Sequence, residues 1–130
     1  MADDGVYFSE LSPRLNDTVR VTLVETEKFS EFEFHTRVVL GFPIPEITLK
    51  RVGASAVILA LNEGSHLTYK GVNEAMDHQQ CDIQISGQPI TRSYHRMAVA
   101  LTYDKIGVDV DVIKKRAIEI AKMVRVESIN

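Results

Sequence analysis

Tryptophan is absent from this 130-residue sequence, and aromatic residues make up only 7% of it. Few rings are available to stack unpaired bases, which argues against a single-strand nucleic-acid binder. A basic excess is also missing: 15 Lys and Arg stand against 18 Asp and Glu, a formal net charge of −3. Binding to a phosphate backbone normally draws on a surplus of cations. The single cysteine, Cys81, has no partner for an internal disulfide. No apolar run reaches the roughly 18 residues that a transmembrane helix needs. The opening Met1-Ala2-Asp3-Asp4 is acidic and lacks the apolar stretch of a secretory signal. Together these features predict a cytoplasmic protein with no membrane and no nucleic-acid partner.

Common chemical motifs are lacking as well. Neither G-x-x-x-x-G-K-[ST] nor G-x-G-x-x-G occurs, so no glycine loop of these kinds cradles a phosphate. His35, His66, His78 and His95 form no H-x-x-x-H pair, and Cys81 has no CxxC partner. Their spacing reads as scattered histidines rather than a metal set.

What is present suits one globular domain. The sequence is 45% hydrophobic and 25% charged, both ordinary values. Val6 to Phe8 reads as a short strand and Ser12 to Thr18 as a proline-broken loop. Val19 to Val24 alternates weakly, as a strand does. Ser30-Glu31-Phe32-Glu33 has the form of a capping box, with Phe29 and Phe34 at staple spacing. It opens a helix expected over Glu31 to Leu40, which Gly41 ends and Pro43 keeps from restarting. Ile44-Pro45-Glu46 reads as a turn. Strands are expected over Ala54 to Leu61, Asp82 to Ser86 and Met97 to Leu101, with a short helix over Lys70 to Met76. Asp109 is placed to cap a last helix. Its apolar stripe is Val110, Ile113, Ala117, Ile120, Ala121 and Val124, and Lys114, Lys115, Arg116 and Lys122 fall mostly on the opposite face. A short strand, Val124 to Glu127, closes the chain. The pattern predicts an α+β fold, with antiparallel strands and two or three helices packed on them.

One segment combines chemically useful side chains. Glu10, Ser12 and Arg14 alternate, so an extended backbone points all three to one side. A carboxylate is a hard ligand suited to Mg²⁺, and a nearby guanidinium can clamp the phosphate that the metal bridges. The same spacing also fits a solvated strand end.

Val6-Tyr7-Phe8-Ser9-Glu10-Leu11-Ser12-Pro13-Arg14-Leu15-Asn16-Asp17-Thr18 resembles a signature near the end of the ATP-grasp core in formate-dependent phosphoribosylglycinamide formyltransferase. The resemblance continues through Ser30-Glu31-Phe32, His35, Arg37 and Leu40-Gly41-Phe42-Pro43. It includes Ala54 to Leu59, Asp82 to Ile85, Gly87-Gln88-Pro89, Arg96 to Leu101, Ala117, Ala121 and Val124-Arg125-Val126. It runs from about Gly5 to Glu127 and covers the C-terminal third of that three-part enzyme. It implies the end of an ATP-grasp core and its crossing helix over 1–46. A small antiparallel-sheet domain, rudimentary single-hybrid-like, with a packed C-terminal helix, follows over 47–130.

In the complete family member the resemblance implies a reaction in which MgATP activates formate, as formyl phosphate, for transfer to the amine of glycinamide ribonucleotide in purine synthesis. Phosphorylation supplies the leaving group that formate lacks, and Mg²⁺ offsets the charge repelling the carboxylate. Carried across by position, Glu10 corresponds to a Mg²⁺ ligand, Arg14 to an arginine near the ATP phosphates and Asp17 to a contact with the ribonucleotide. Arg96 corresponds to the second of two arginines on the substrate phosphate. Gln88 stands where the family has a lysine, and His95 where it has the first of the paired arginines. A charge-assisted hydrogen bond contributes about 1.5–3 kcal/mol, so these two exchanges would weaken phosphate binding by roughly a hundredfold or more.

No residue of this chain is assigned a catalytic role by the resemblance. The ATP-binding part of the family is not matched, so the chain is expected to be inactive alone and to bind neither ATP nor Mg²⁺ by itself. Its expected partners are the N-terminal portion of the enzyme or a second copy of itself. Val6 to Glu10, lacking its family hairpin partner, is expected to be disordered, to fold back elsewhere or to pair with another chain. The alternatives are a non-catalytic binding or assembly module derived from this domain and a small hydrolase built on His95.

Overall fold

The computed structural model describes residues 17–24 and 26–129. The expectations for Val6 to Asn16, including Glu10 and Arg14, lie outside these residues. The described residues open with a 3-10 helix, Asp17–Val24, and continue through α1 (Glu31–Val39), β1 (Arg51–Leu59) and β2 (Gly64–Lys70). There follow α2 (Val72–Met76), β3 (Cys81–Ile85), β4 (Ile90–Thr91), β5 (Arg96–Lys105), α3 (Val110–Met123) and β6 (Arg125–Ile129). Among the described residues two antiparallel sheets result, one in the order β1-β5-β3 and one in the order β4-β2-β6. The α+β class with antiparallel strands and a packed C-terminal helix is therefore as expected.

Strand β5 organises the core because both of its faces are covered. Met97 through Thr102 are all buried, and such a strand reads as a continuous apolar run rather than an alternation. Ala98 and Ala100 face Ile120 and Val124, at the C-terminal end of α3, together with Ile58, Ala75 and Ile83. Val99 and Leu101 face Val24, with Val21 and Tyr103 packed alongside. Alanines on the α3 side let the helix approach closely. Thr102 is buried without penalty because its Oγ1 donates to the Ile113 carbonyl at 3.1 Å.

Helix α3 follows its sequence pattern. Asp109 accepts from the Asp111 N–H at 2.9 Å, and Ile113, Ala117 and Ile120 are the buried stripe. Val110 is a correction: in the first turn it is 46% exposed. On the polar face Arg116 donates to Asp104 at 3.2 Å and to Gln80 at 3.0 Å. The Asp104 carboxyl is held below its usual range, chiefly by the Lys105 N–H, with Arg116 adding to the effect.

Helix α1 is built as its caps dictate. The Ser30 hydroxyl accepts from the Glu33 N–H at 3.3 Å, and the Glu33 carboxylate accepts from the Ser30 N–H at 2.7 Å. The Phe29 and Phe34 rings meet edge to face at 5.7 Å. At the other end Gly41 takes φ +68°. Phe42 N–H donates to Arg37 O at 2.8 Å and Gly41 N–H to Val38 O at 3.2 Å, which is a Schellman ending. The Glu33 carboxyl lies below its usual range because of the Ser30 backbone and hydroxyl bonds. A depressed carboxyl adds stability above its unfolded pKa, and that contribution is lost as pH falls through the folded value. Ser30→Ala is expected to cost about 1 kcal/mol at neutral pH and to raise the Glu33 pKa. Thermal melts and carboxyl NMR titration read the two effects.

Three further expectations are corrected. Val19 to Val24 belongs to a 3-10 helix, not a strand. Val21 and Val24, three apart, pack against the β5 face, and a three-residue repeat is the period of a 3-10 turn. Ile44-Pro45-Glu46 is no turn but part of an irregular stretch over 42–48. Strand β2 arises where no strand is expected. Its half-buried Leu67 and Tyr69 alternate with exposed His66, Thr68 and Lys70. A register shift between Ser65 and Thr68, with His66 at φ +50°, interrupts its pairing with β6.

A candidate anion-binding cavity

The β3–β5 pairing delivers polar residues to one end of its sheet. Beyond β3, Ser86 N–H donates to Met97 O at 2.9 Å, so the exit of β3 and the entry of β5 lie side by side. The turn Arg92–His95 leads into β5. It closes with His95 N–H donating to Arg92 O at 2.9 Å. Exchanges with the end of β1 pin it: Tyr94 N–H to Ala60 O at 2.8 Å, and Ala60 N–H to His95 O at 2.9 Å. Ser93 Oγ donates to Leu61 O at 3.2 Å. Tyr94 is held at φ +62°, a left-handed conformation that is uncommon outside glycine and is often found at functional sites.

Between these pieces lies a cavity of about 410 Å³, lined by Arg20, Ser86, Gln88, Arg92, Ser93, Tyr94, His95 and Arg96. Arg20 comes from the 3-10 helix, where it is offset from the Val21/Val24 contact with β5. Three guanidiniums and, among the described residues, no carboxylate line the space. Guanidinium forks match the geometry of phosphate oxygens. His95 is half-buried. Its Nδ1 is buried without a hydrogen-bond partner among the described residues, and such an atom calls for one. The wall can therefore hold an anion. Among the described residues no three of His, Cys, Asp or Glu converge as a metal site.

The structure thus brings together three of the residues singled out from sequence, Gln88, His95 and Arg96. It adds Arg20 and Arg92, which sequence reasoning missed. Arg20 was hidden by the strand reading of its segment. Arg92 sits in the dense polar run Thr91-Arg92-Ser93-Tyr94-His95-Arg96, whose composition was the available signal. Asp17 opens the 3-10 helix that carries Arg20. Glu10 and Arg14 lie outside the described residues. A larger groove of about 770 Å³ runs between β1 and α3, but its lining is mainly aliphatic.

The same fold occurs in N5-carboxyaminoimidazole ribonucleotide synthetase from Thermotoga maritima. The TM-score is 0.79 at 23% identity, covering 91% of this chain and 32% of that one. The likeness is one of fold, an α+β arrangement of two antiparallel sheets with a packed C-terminal helix. Within that class, the family described as PurT, C-terminal matches residues 53–124, and the chain belongs to it. Formate-dependent phosphoribosylglycinamide formyltransferase from Chlorobium phaeobacteroides is 56% identical over 128 residues, 98% of this chain and 33% of that protein. The enzymes of the same name from Chlorobaculum tepidum and Synechocystis are 52% and 42% identical, over 98% and 96% of this chain. The chain spans about a third of the length of the curated relatives it matches. Among the described residues no helix is long and apolar enough to cross a membrane.

Proposed function

We propose that this chain supplies the substrate-phosphate end of a formate-dependent phosphoribosylglycinamide formyltransferase. The observation that carries this reading is the cavity in which Arg96, His95 and Gln88 converge with two further arginines and, among the described residues, with no carboxylate. In this reading the 5′-phosphate of the ribonucleotide sits against the Arg96 guanidinium, and the amine that accepts the formyl group projects away from it. Binding the phosphate remote from the reacting amine fixes the orientation of the substrate, which is where such binding energy helps catalysis. Glu10 would hold Mg²⁺, which offsets charge during phosphoryl transfer, Arg14 would face the ATP phosphates and Asp17 would contact the ribonucleotide. The rest of the enzyme would bring the nucleotide site, with the division near residue 46, in a cytoplasmic homodimer.

A second feature supports a large partner. Val38, Val39, Leu40, Phe42, Ile47 and Leu49 are all more than half exposed on one continuous stretch. Contiguous exposed apolar residues mark interaction sites. The part of the enzyme that this chain does not span would cover them.

The test is a chimera that joins residues 1–130 to the N-terminal two-thirds of the Chlorobium phaeobacteroides relative. ATP- and formate-dependent formylation of phosphoribosylglycinamide is expected from the chimera and not from the chain alone. A folded chimera without turnover, or turnover by the chain alone, would overturn the proposal.

A further inference from the structure

We propose that Arg92 is a second phosphate-binding cation of this cavity and acts as a pair with Arg96. The proposal rests on the anion-site reading above and adds to it a residue that this reading does not require. Arg92 is the first residue of the turn closed by the His95 N–H at 2.9 Å, and Arg96 directly follows its last. The ends of a β-turn lie within about 7 Å of each other, so the two arginines start from neighbouring points of the backbone. The three bonds to Ala60 and Leu61 hold the turn against the end of β1. They also keep Tyr94 at φ +62°, a conformation that costs on the order of 1 kcal/mol and persists only when the surroundings impose it.

Both arginine side chains are exposed and line the same cavity. Neither has an ion-pair or hydrogen-bond partner among the described residues. This contrasts with Arg116, which is tied to Asp104 and Gln80, and with Arg37, which bonds the Pro43 carbonyl and covers the Phe29 ring. Two adjacent unpaired cations repel each other. A phosphate dianion relieves that repulsion and accepts from both forks at once. Position 92 thereby places a permanent positive charge across the turn from position 95, where a histidine stands. Arg92 would restore charge to a wall that carries glutamine at position 88.

The experiment titrates the 130-residue chain with ribose 5-phosphate, inorganic phosphate and ribose, followed by amide NMR shifts. Ribose 5-phosphate and phosphate are expected to move the Ser86–Gln88 and Arg92–Arg96 amides, and ribose is not. Arg92→Ala is expected to weaken ribose 5-phosphate binding about tenfold, and Arg92→Lys to recover part of the loss. Because the Arg92 side chain makes no bond within the described chain, its variants should keep the amide pattern of the fold. Binding by Arg92→Ala within twofold of the parent, with Arg96→Ala strongly weakened, overturns the role of Arg92 and leaves the anion site standing. A parent chain that binds ribose 5-phosphate no better than ribose overturns both.

Discussion

Replacing Gly71 by alanine is expected to lower the melting temperature by about 10 °C. Gly71 joins β2 to α2 at φ +79°, and a Cβ there would fall onto the Met123 carbonyl oxygen at the last turn of α3. The left-handed conformation costs a non-glycine residue about 1–2 kcal/mol. The collision with backbone adds an overpacking penalty of about 1–3 kcal/mol, since a carbonyl cannot swing aside as a side chain does. Gly41 separates the two effects. It takes φ +68° with nothing within 4 Å of the added Cβ, so Gly41→Ala should show the conformational cost alone. Paired thermal melts decide the matter. Equal shifts for the two variants would mean that α3 does not press on Gly71.

Arg96→Ala in the chimeric enzyme is expected to raise KM for phosphoribosylglycinamide about 10- to 100-fold. A guanidinium–phosphate contact is charge-assisted and contributes about 1.5–3 kcal/mol. The KM for ATP should hold within about twofold, because the proposed reading gives Arg96 a contact with the ribonucleotide phosphate and none with ATP. Steady-state kinetics with each substrate varied in turn check this. A loss confined to kcat, with KM unchanged for both substrates, would remove Arg96 from the phosphate wall. Exposed at the start of β5 and unpaired among the described residues, Arg96 can be cut back with little disturbance to the core behind it.

Several elements were legible because their signals are local. Ser30 and Glu33 bond each other across three residues, so the start of α1 is written in four letters. Ile113, Ala117 and Ile120 repeat at the helical period and are the residues α3 buries. The run Met97 to Leu101 had to be a covered strand, because so many consecutive apolar side chains cannot share one face.

The failures came where partners are remote. Val19 to Val24 carries a pattern compatible with a strand, and its 3-10 form follows from packing Val21 and Val24 on Val99 and Leu101. Strand β2 is defined by pairing with β6, which follows nearly the whole domain later. Its Ser65, His66 and Thr68 give a weak apolar signal.

The candidate site divides in the same way. Gln88, His95 and Arg96 were reached from sequence through resemblance to known enzymes, one position at a time. That Arg20 and Arg92 share their cavity could not be read so, since Arg20 lies some seventy residues before the others in the chain. Sequence by itself determined the α+β class, the capped helices and the family, because these depend on short-range periodicity and on ordered motifs. Tertiary structure alone decided the cationic wall. Charge at a site sums over whichever side chains the fold brings within a few ångströms, and Coulomb attraction depends on that distance rather than on separation along the chain.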